Sequence, residues 1–315
     1  MQGFALLFPG QGSQSVGMLS ELAASSPLVR ETFEEAGEIL DQDLWKLATE
    51  GPAEVLNQTE WTQPAMLAGG VAVWRVWQDA EGPKPRVLAG HSLGEYSALV
   101  TAGALNFPDA VRLVHARGRF MQEAVPAGKG AMAAILGLED EVVEAICRES
   151  AEDQIVVPAN YNSPGQLVIA GHGPAVERAI HRSREAGAKR AMVLPVSVPS
   201  HCPLMKPAAE RLGAMLADTE IRPPELPILH NVDVKTRKSP EAIRQALVDQ
   251  LCSAVQWTRT IRAICDQGVL HLGECGPGRV LSGLGRRILR EAEWLALEQP
   301  SAIRGAANDW RLIAS

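Results

Sequence analysis

Apolar positions in this chain change period along its length, and the changes mark out its elements. Phe4 to Phe8 is an unbroken apolar run bounded by Pro9-Gly10-Gln11-Gly12. It predicts a buried strand feeding a tight Gly-rich loop. A polar helical stretch follows over about Ser25 to Leu40, and a second helical pattern runs from about Thr62 to Gln78. Val87 to Ala89 predicts a short strand, Glu95 to Val100 continues as helix, and Pro108 to Glu123 is helical with Asn106 as N-cap. Strand, loop and helix in alternation predict an α/β sheet with helices over it.

From 128 to 200 the rhythm is different. Ala131 to Leu136 predicts a strand, Glu139 to Ser150 a helix, and Ile155 to Asn160 and Gln166 to Ala170 two strands around the turn Asn162-Ser163-Pro164-Gly165. Pro174 to Ala186 predicts a helix and Ala191 to Val198 a last strand. That order, βαββαβ, is the ferredoxin-like split unit. The α/β pattern resumes near Cys202, with helices over Pro203 to Leu216, Pro240 to Leu251, Trp257 to Gln267 and Arg279 to Leu289, and strands over Pro227 to Asn231 and Val269 to Glu274. The tail past Glu291 carries no strong pattern. The expected fold class is therefore α/β: a large α/β-hydrolase-like domain (1–126 and 201–315) with an inserted ferredoxin-like α+β subdomain (127–200).

Composition narrows the function classes. The 315 residues are 46% hydrophobic and 21% charged, as in an ordinary globular chain, and about two domains are expected at roughly 150 residues each. Lys plus Arg is 30 against 37 Asp plus Glu, a formal charge of −7, and aromatics are 4%. Both speak against nucleic acid as partner. No cationic start precedes a signal-like run, and Arg75 interrupts the apolar run Val71 to Trp77, so no membrane span is expected. Five cysteines without a CxxC pair read as reduced, buried thiols of a cytoplasmic protein, with no zinc cage. Gly10, Gly12 and Gly17 do not fit a dinucleotide fingerprint, and no GK[ST] follows for a P-loop.

The sharpest chemical signal is Gly90-His91-Ser92-Leu93-Gly94, a GxSxG between a predicted strand and a predicted helix. In that context the glycines permit the strained turn of a nucleophile elbow that presents Ser92. The Leu93 amide then sits at a helix N-terminus, where developing negative charge is favoured. A serine nucleophile needs a base. Of the seven histidines, His201 lies in Val198-Pro199-Ser200-His201-Cys202, where the inserted unit rejoins the large one and a cleft is expected. His91 adjoins the nucleophile and is expected to point away from it. Turning the Ala110 to Ala124 segment through about 100° per residue gathers Leu113, Val114, Phe120 and Met121 on one face, with Arg117 at its centre. A buried guanidinium requires an anionic partner: either a structural Asp or Glu, or a substrate carboxylate held bidentately.

Phe8-Pro9-Gly10-Gln11-Gly12-Ser13-Gln14, Gly90-His91-Ser92-Leu93-Gly94-Glu95-Tyr96-Ser97-Ala98, Ser197-Val198-Pro199-Ser200-His201-Cys202 and Gly276-Pro277-Gly278 together resemble the malonyl-CoA:acyl-carrier-protein transacylases. Thr62-Gln63-Pro64-Ala65, Asn162-Ser163-Pro164-Gly165-Gln166 and Val255-Gln256-Trp257 fit the same family, and the likeness extends to about residue 290. The resemblance implies ping-pong transfer of malonyl from malonyl-CoA to the phosphopantetheine thiol of an acyl carrier protein for fatty-acid synthesis. It implies Ser92 as nucleophile, His201 as base, Arg117 on the malonyl carboxylate, and the amides of Gln11 and Leu93 as oxyanion hole. Gln250 would offer its main-chain carbonyl to His201, and Gln63 and Asn162 would line the pocket. No metal or organic cofactor of its own is implied, and the enzyme is expected to act as a monomer. Carrier proteins of this kind are acidic, which points to Lys189-Arg190 and Arg286-Arg287 as docking candidates. His230 and Cys275 depart from the family's pattern and are expected to touch packing only. The other readings are a malonyl transferase serving another carrier (malonate decarboxylase or polyketide type), a serine thioesterase or esterase, and a non-catalytic carrier-binding module.

Overall fold

The structure is a computed structural model in which residues 3–126, 128–196 and 198–314 are described. Ala127 and Ser197, which fall in the expected subdomain boundary and its last strand, lie outside the described residues. Among the described residues the strands are β1 (Phe4–Phe8), β2 (Val87–Gly90), β3 (Gly130–Leu136), β4 (Val156–Ser163), β5 (Gln166–His172), β6 (Arg190–Val193), β7 (Ile228–Leu229), β8 (His271–Glu274) and β9 (Glu293–Ala296). They form two sheets, one of five strands in the order β7-β2-β1-β8-β9 and one of four in the order β4-β5-β3-β6.

The five-stranded sheet is parallel throughout. Every residue of β1 is buried, as a central parallel strand with helices on both faces requires. Alternate residues serve different cores. Phe4, Leu6 and Phe8 pack with the long buried helix Thr59–Asp79 and its neighbours, while Ala5 and Leu7 pack on the other face with Val255, Trp257 and Ile261. Parallel pairing brings the carboxyl ends of β1, β2 and β7 to one edge of the sheet, and the loops that follow them carry Gln11, Ser92 and Asn231.

The four-stranded sheet is antiparallel and follows the expected βαββαβ order. One face packs Ile135, Leu167 and Ile169 against the helices Asp140–Ala151 and Gly173–Glu185. Its other face offers Met132, Val168 and Ala170, which gather with Cys202. The two sheets meet where β4 bridges the segment before the helix Trp257–Cys265: Tyr161 N donates to Val255 O (3.0 Å) and Val255 N to Ala159 O (2.9 Å).

Three expectations change. The helical stretch expected over Ser25 to Leu40 is the helix Pro27–Leu40, and an unexpected short helix, Ser20–Ser25, precedes it, the two separated because Ser26 is extended (φ −144°) ahead of Pro27. The last strand of the inserted unit ends at Val193 instead of Val198. The described part of the tail, to Ala314, carries its own elements: β9 adds an edge strand beside β8, and the helix Pro300–Asp309 leads to a buried Trp310 whose ring lies 4.8 Å from Phe4 and 5.8 Å from Trp77. The cysteines are free, with Cys147, Cys202 and Cys275 buried but Cys252 and Cys265 partly exposed. No helix of the described residues is long and apolar enough to cross a membrane.

Candidate active site

The turn after β2 is built by close approach. A Cβ at Gly90 would fall 1.9 Å from the Gly94 carbonyl carbon, and one at Gly94 would fall 2.0 Å from Phe8 O, so both outer positions of the GxSxG motif admit glycine only. Between them Ser92 sits at φ 51°, a strained conformation for a residue with a side chain, held by its surroundings. Asn231 supplies the hold: its Oδ1 accepts from Ser92 N (2.6 Å) and its Nδ2 donates to Gly90 O (2.6 Å). Leu93 follows immediately, and the helix Gly94–Thr101 begins at the next residue.

Ser92 Oγ lies 2.8 Å from His201 Nε2. His201 Nδ1 lies 2.8 Å from the main-chain carbonyl of Gln250, which is an acceptor only, so the imidazole carries its proton on Nδ1 and offers a lone pair to Ser92. His201 is 3% exposed, at φ 60°, and burial followed by the Arg117 charge pushes its pKa down to about 3. The working base is thus the neutral imidazole.

Arg117 projects from the buried face of the helix Phe107–Ala124, where the apolar periodicity places it, and is 1% exposed. Its Nη1 donates to Gln63 Oε1 (2.9 Å), and its Nη2 donates to Gln250 Oε1 (3.0 Å) and Ser92 Oγ (3.2 Å). Every one of these acceptors is neutral. Among the described residues no carboxylate pairs with Arg117, which removes the structural Asp or Glu as its partner. Burial works against its charge and lowers its pKa.

A cavity of about 180 Å³ opens onto these groups, with Gln11, Leu93, Asn162, Ser92, His201 and Arg117 in its wall. Met121, Met132, Val168 and Val198 supply an apolar side. Gln63 stands elsewhere than expected: it is buried behind Arg117 and bonded to it, and so braces the guanidinium instead of lining the pocket. His91 also departs from expectation. Its ring packs 5.3 Å from Trp257, its Nε2 lies 2.9 Å from Asn162 Oδ1, and it lines the same cavity as Ser92. Burial lowers its pKa and keeps it neutral.

The acyl transferase domain family matches residues 5–296. The malonyl CoA-acyl carrier protein transacylase of Escherichia coli (strain K12) is 58% identical over 306 residues, 97% of this chain and 99% of the relative. That of Bacillus subtilis (strain 168) is 46% identical over 96% of each chain. The chain belongs to the malonyl CoA-acyl carrier protein transacylase family of acyl transferases. Two solved members carry the same fold. The Coxiella burnetii transacylase superposes with a TM-score of 0.96 at 52% identity, covering 98% of this chain and 97% of that one. A malonyl-transacylase solved in complex with a holo type II PKS acyl-carrier protein gives 0.96 at 54% identity, covering 98% of this chain and 100% of that one. Both matches run through the tail, beyond the reach of the motifs.

Ser92, His201, Arg117, Gln11 and Leu93 line one cavity, and Gln250 stands behind it with its carbonyl on His201. Missing from the sequence reading are Asn231, which pins the elbow, Asn160, which lines the cavity beside Asn162, and Glu95. His230 is not a packing residue alone, because its Nδ1 lies 2.5 Å from Glu95 Oε1 inside the site's support. The signal for Asn231 and Glu95 was polarity in otherwise apolar surroundings, next to a strand end and inside the elbow motif. Cys275, by contrast, is buried with its Sγ toward Gly70 O (3.7 Å) and takes no part.

Proposed function

We propose that this acyltransferase moves the malonyl group from malonyl-CoA to the phosphopantetheine thiol of an acyl carrier protein through a malonyl-Ser92 intermediate. The observation that carries the reading is a buried guanidinium with only neutral partners, 3.2 Å from a serine nucleophile. An acyl group with a free carboxylate at its far end supplies the direct anionic partner that Arg117 lacks among the described residues.

In the first half-reaction His201 Nε2 takes the Ser92 Oγ proton as Oγ attacks the thioester carbon. The oxyanion rests on the Gln11 and Leu93 amides, the latter at a helix N-terminus. The C–S bond breaks and the leaving thiolate of CoA takes the proton back from His201. In the second half-reaction the carrier's thiol gives its proton to His201 and attacks malonyl-Ser92. Ser92 Oγ then leaves and recovers that proton. Gln250 O stabilises the imidazolium that forms in each half, so that a dyad with a carbonyl does the orienting work an aspartate does elsewhere.

The turn on β2 and the strand orders support reading 1–126 and 201–315 as an α/β-hydrolase-like catalytic domain and 127–200 as a ferredoxin-like subdomain set into it. The cavity then lies where the subdomain's free face, through Met132 and Val168, closes over the elbow.

Intact-protein mass after brief mixing with malonyl-CoA tests the proposal, with wild type and Ser92→Ala side by side. A malonyl adduct on wild type alone, discharged by holo carrier protein, is expected. Steady CoA release without an adduct points to a hydrolase. Neither adduct nor CoA release leaves a binding module.

A further inference from the structure

Glu95 is fully buried and no motif assigned it a role. Its Oε2 accepts from Asn231 N (3.0 Å) and Gln250 Nε2 (2.8 Å), and its Oε1 faces His230 Nδ1 (2.5 Å). The orientations of these neighbours are determined by their own partners. Arg117 Nη2 is a donor only, so Gln250 Oε1 must face it and the Gln250 amide hydrogens must face Ser92 O (3.1 Å) and Glu95. Ser92 N–H is likewise a donor only, so Asn231 Oδ1 faces it and Nδ2 faces Gly90 O. Glu95 Oε2 therefore accepts from two obligatory donors, and its remaining oxygen, Oε1, faces His230.

One carboxylate thus stands one residue behind each working group. Through Gln250 it reaches Arg117 by the side chain and His201 by the main-chain carbonyl, and through Asn231 it reaches the Ser92 amide. Burial disfavours the Arg117 charge, and Glu95 favours it without a direct contact. We propose that Glu95 is the positioning carboxylate of this site, supplying through Gln250 the negative charge that the Ser92–His201–Gln250 arrangement lacks, with His230 as its third partner. When malonyl neutralises Arg117, Glu95 remains as the counter-charge for the imidazolium of His201. The inference rests on the transferase reading for its physiological substrate, but not for its effect on Ser92.

Glu95→Gln isolates the charge. A glutamine keeps Asn231 and Gln250 on its oxygen and donates to His230 Nδ1 once that imidazole carries its proton on Nε2. Two rates are compared with wild type by intact-protein mass: acylation by malonyl-CoA, and modification of Ser92 by a fluorophosphonate probe, which needs no carboxylate. The expected result is a loss of roughly 10–100-fold in both, the scale of removing an outer orienting group. KM for malonyl-CoA should stay level or fall, because Arg117 then acts on the substrate carboxylate without a competing anion. Wild-type rates with the probe, or a loss confined to KM, overturn the proposal. If wild type takes the probe but no malonyl, the transferase reading fails while the probe ratio still decides Glu95. Gln250→Met gives a second route, since it keeps the carbonyl on His201 and cuts the amide relay. In that background Glu95→Gln should cost much less than it does alone, and full additivity would overturn the proposal.

Discussion

Arg117 and His201 share one cavity, and each sets the working conditions of the other. A guanidinium at 1% exposure whose hydrogen-bond acceptors are all neutral binds a carboxylate strongly, because the carboxylate pairs directly with a buried charge that meets Glu95 only through Gln250. Arg117→Ala should therefore cost malonyl transfer about 2–5 kcal/mol in kcat/KM, the usual cost of truncating a buried charge pair. Acetyl transfer should lose far less, and equal losses for the two acyl-CoAs would refute the assignment. The same charge lowers the His201 pKa, second only to burial, to about 3. Because the neutral imidazole is the active base, Ser92 modification by a fluorophosphonate should show no acid limb near the ordinary histidine value of about 6.5. In Arg117→Ala the second-largest of the downward influences is gone, and the limb should move up toward that value. A pH–rate profile of both proteins checks it.

At the scale of elements, the strong periodicities were legible and the short or capped pieces were not. β1 read as a buried strand because its flanking Pro-Gly pair left no helical alternative, and the Phe107–Ala124 helix declared both its N-cap and its odd arginine. β9 was invisible, since four residues at a sheet edge carry too little pattern to outweigh their surroundings. The helix Val280–Ile288 shows a capping device that no local motif announces. Glu274, at the end of β8, accepts from Leu281 N (2.9 Å) and Ser282 N (2.8 Å). Burial nevertheless pushes its pKa up to about 7, above the ordinary 4.5. A carboxyl whose folded pKa is raised contributes stability in full below the unfolded pKa and loses it as pH rises through the folded one. Between about pH 4.5 and 7 wild type should lose melting temperature with a slope that Glu274→Gln abolishes. Parallel slopes for the two proteins in that window would show that Glu274 does not titrate there.

For the whole molecule, a formal charge of −7 sets a problem for an acidic partner, so docking must be local. Arg190 and Gln166 both pair with Leu136, from either side of β3, and Arg287 Nη1 bonds Gln166 Oε1, which brings exposed Arg190 and Arg287 to one part of the sheet, with exposed Lys189 beside Arg190 in the chain. Arg286 is engaged with Trp294 O (3.1 Å) and is the weaker candidate. Reversing Lys189, Arg190 and Arg287 to Glu should slow discharge of malonyl-Ser92 to carrier protein and leave acylation by malonyl-CoA unchanged. Undiminished discharge would place docking elsewhere. The contrast between what could be read and what could not follows distance along the chain. Sequence alone determined the alternation of elements, the elbow at Ser92, the buried arginine and the family, because each is written in a contiguous stretch or a local period. Only the tertiary structure decided that Arg117 pairs directly with no carboxylate among the described residues, that Asn231 holds the elbow from 139 positions away, and that Glu95, His230 and Gln250 converge. Those are contacts between short polar side chains on separate elements, and hydrogen-bond geometry over a few ångströms leaves no period in a sequence.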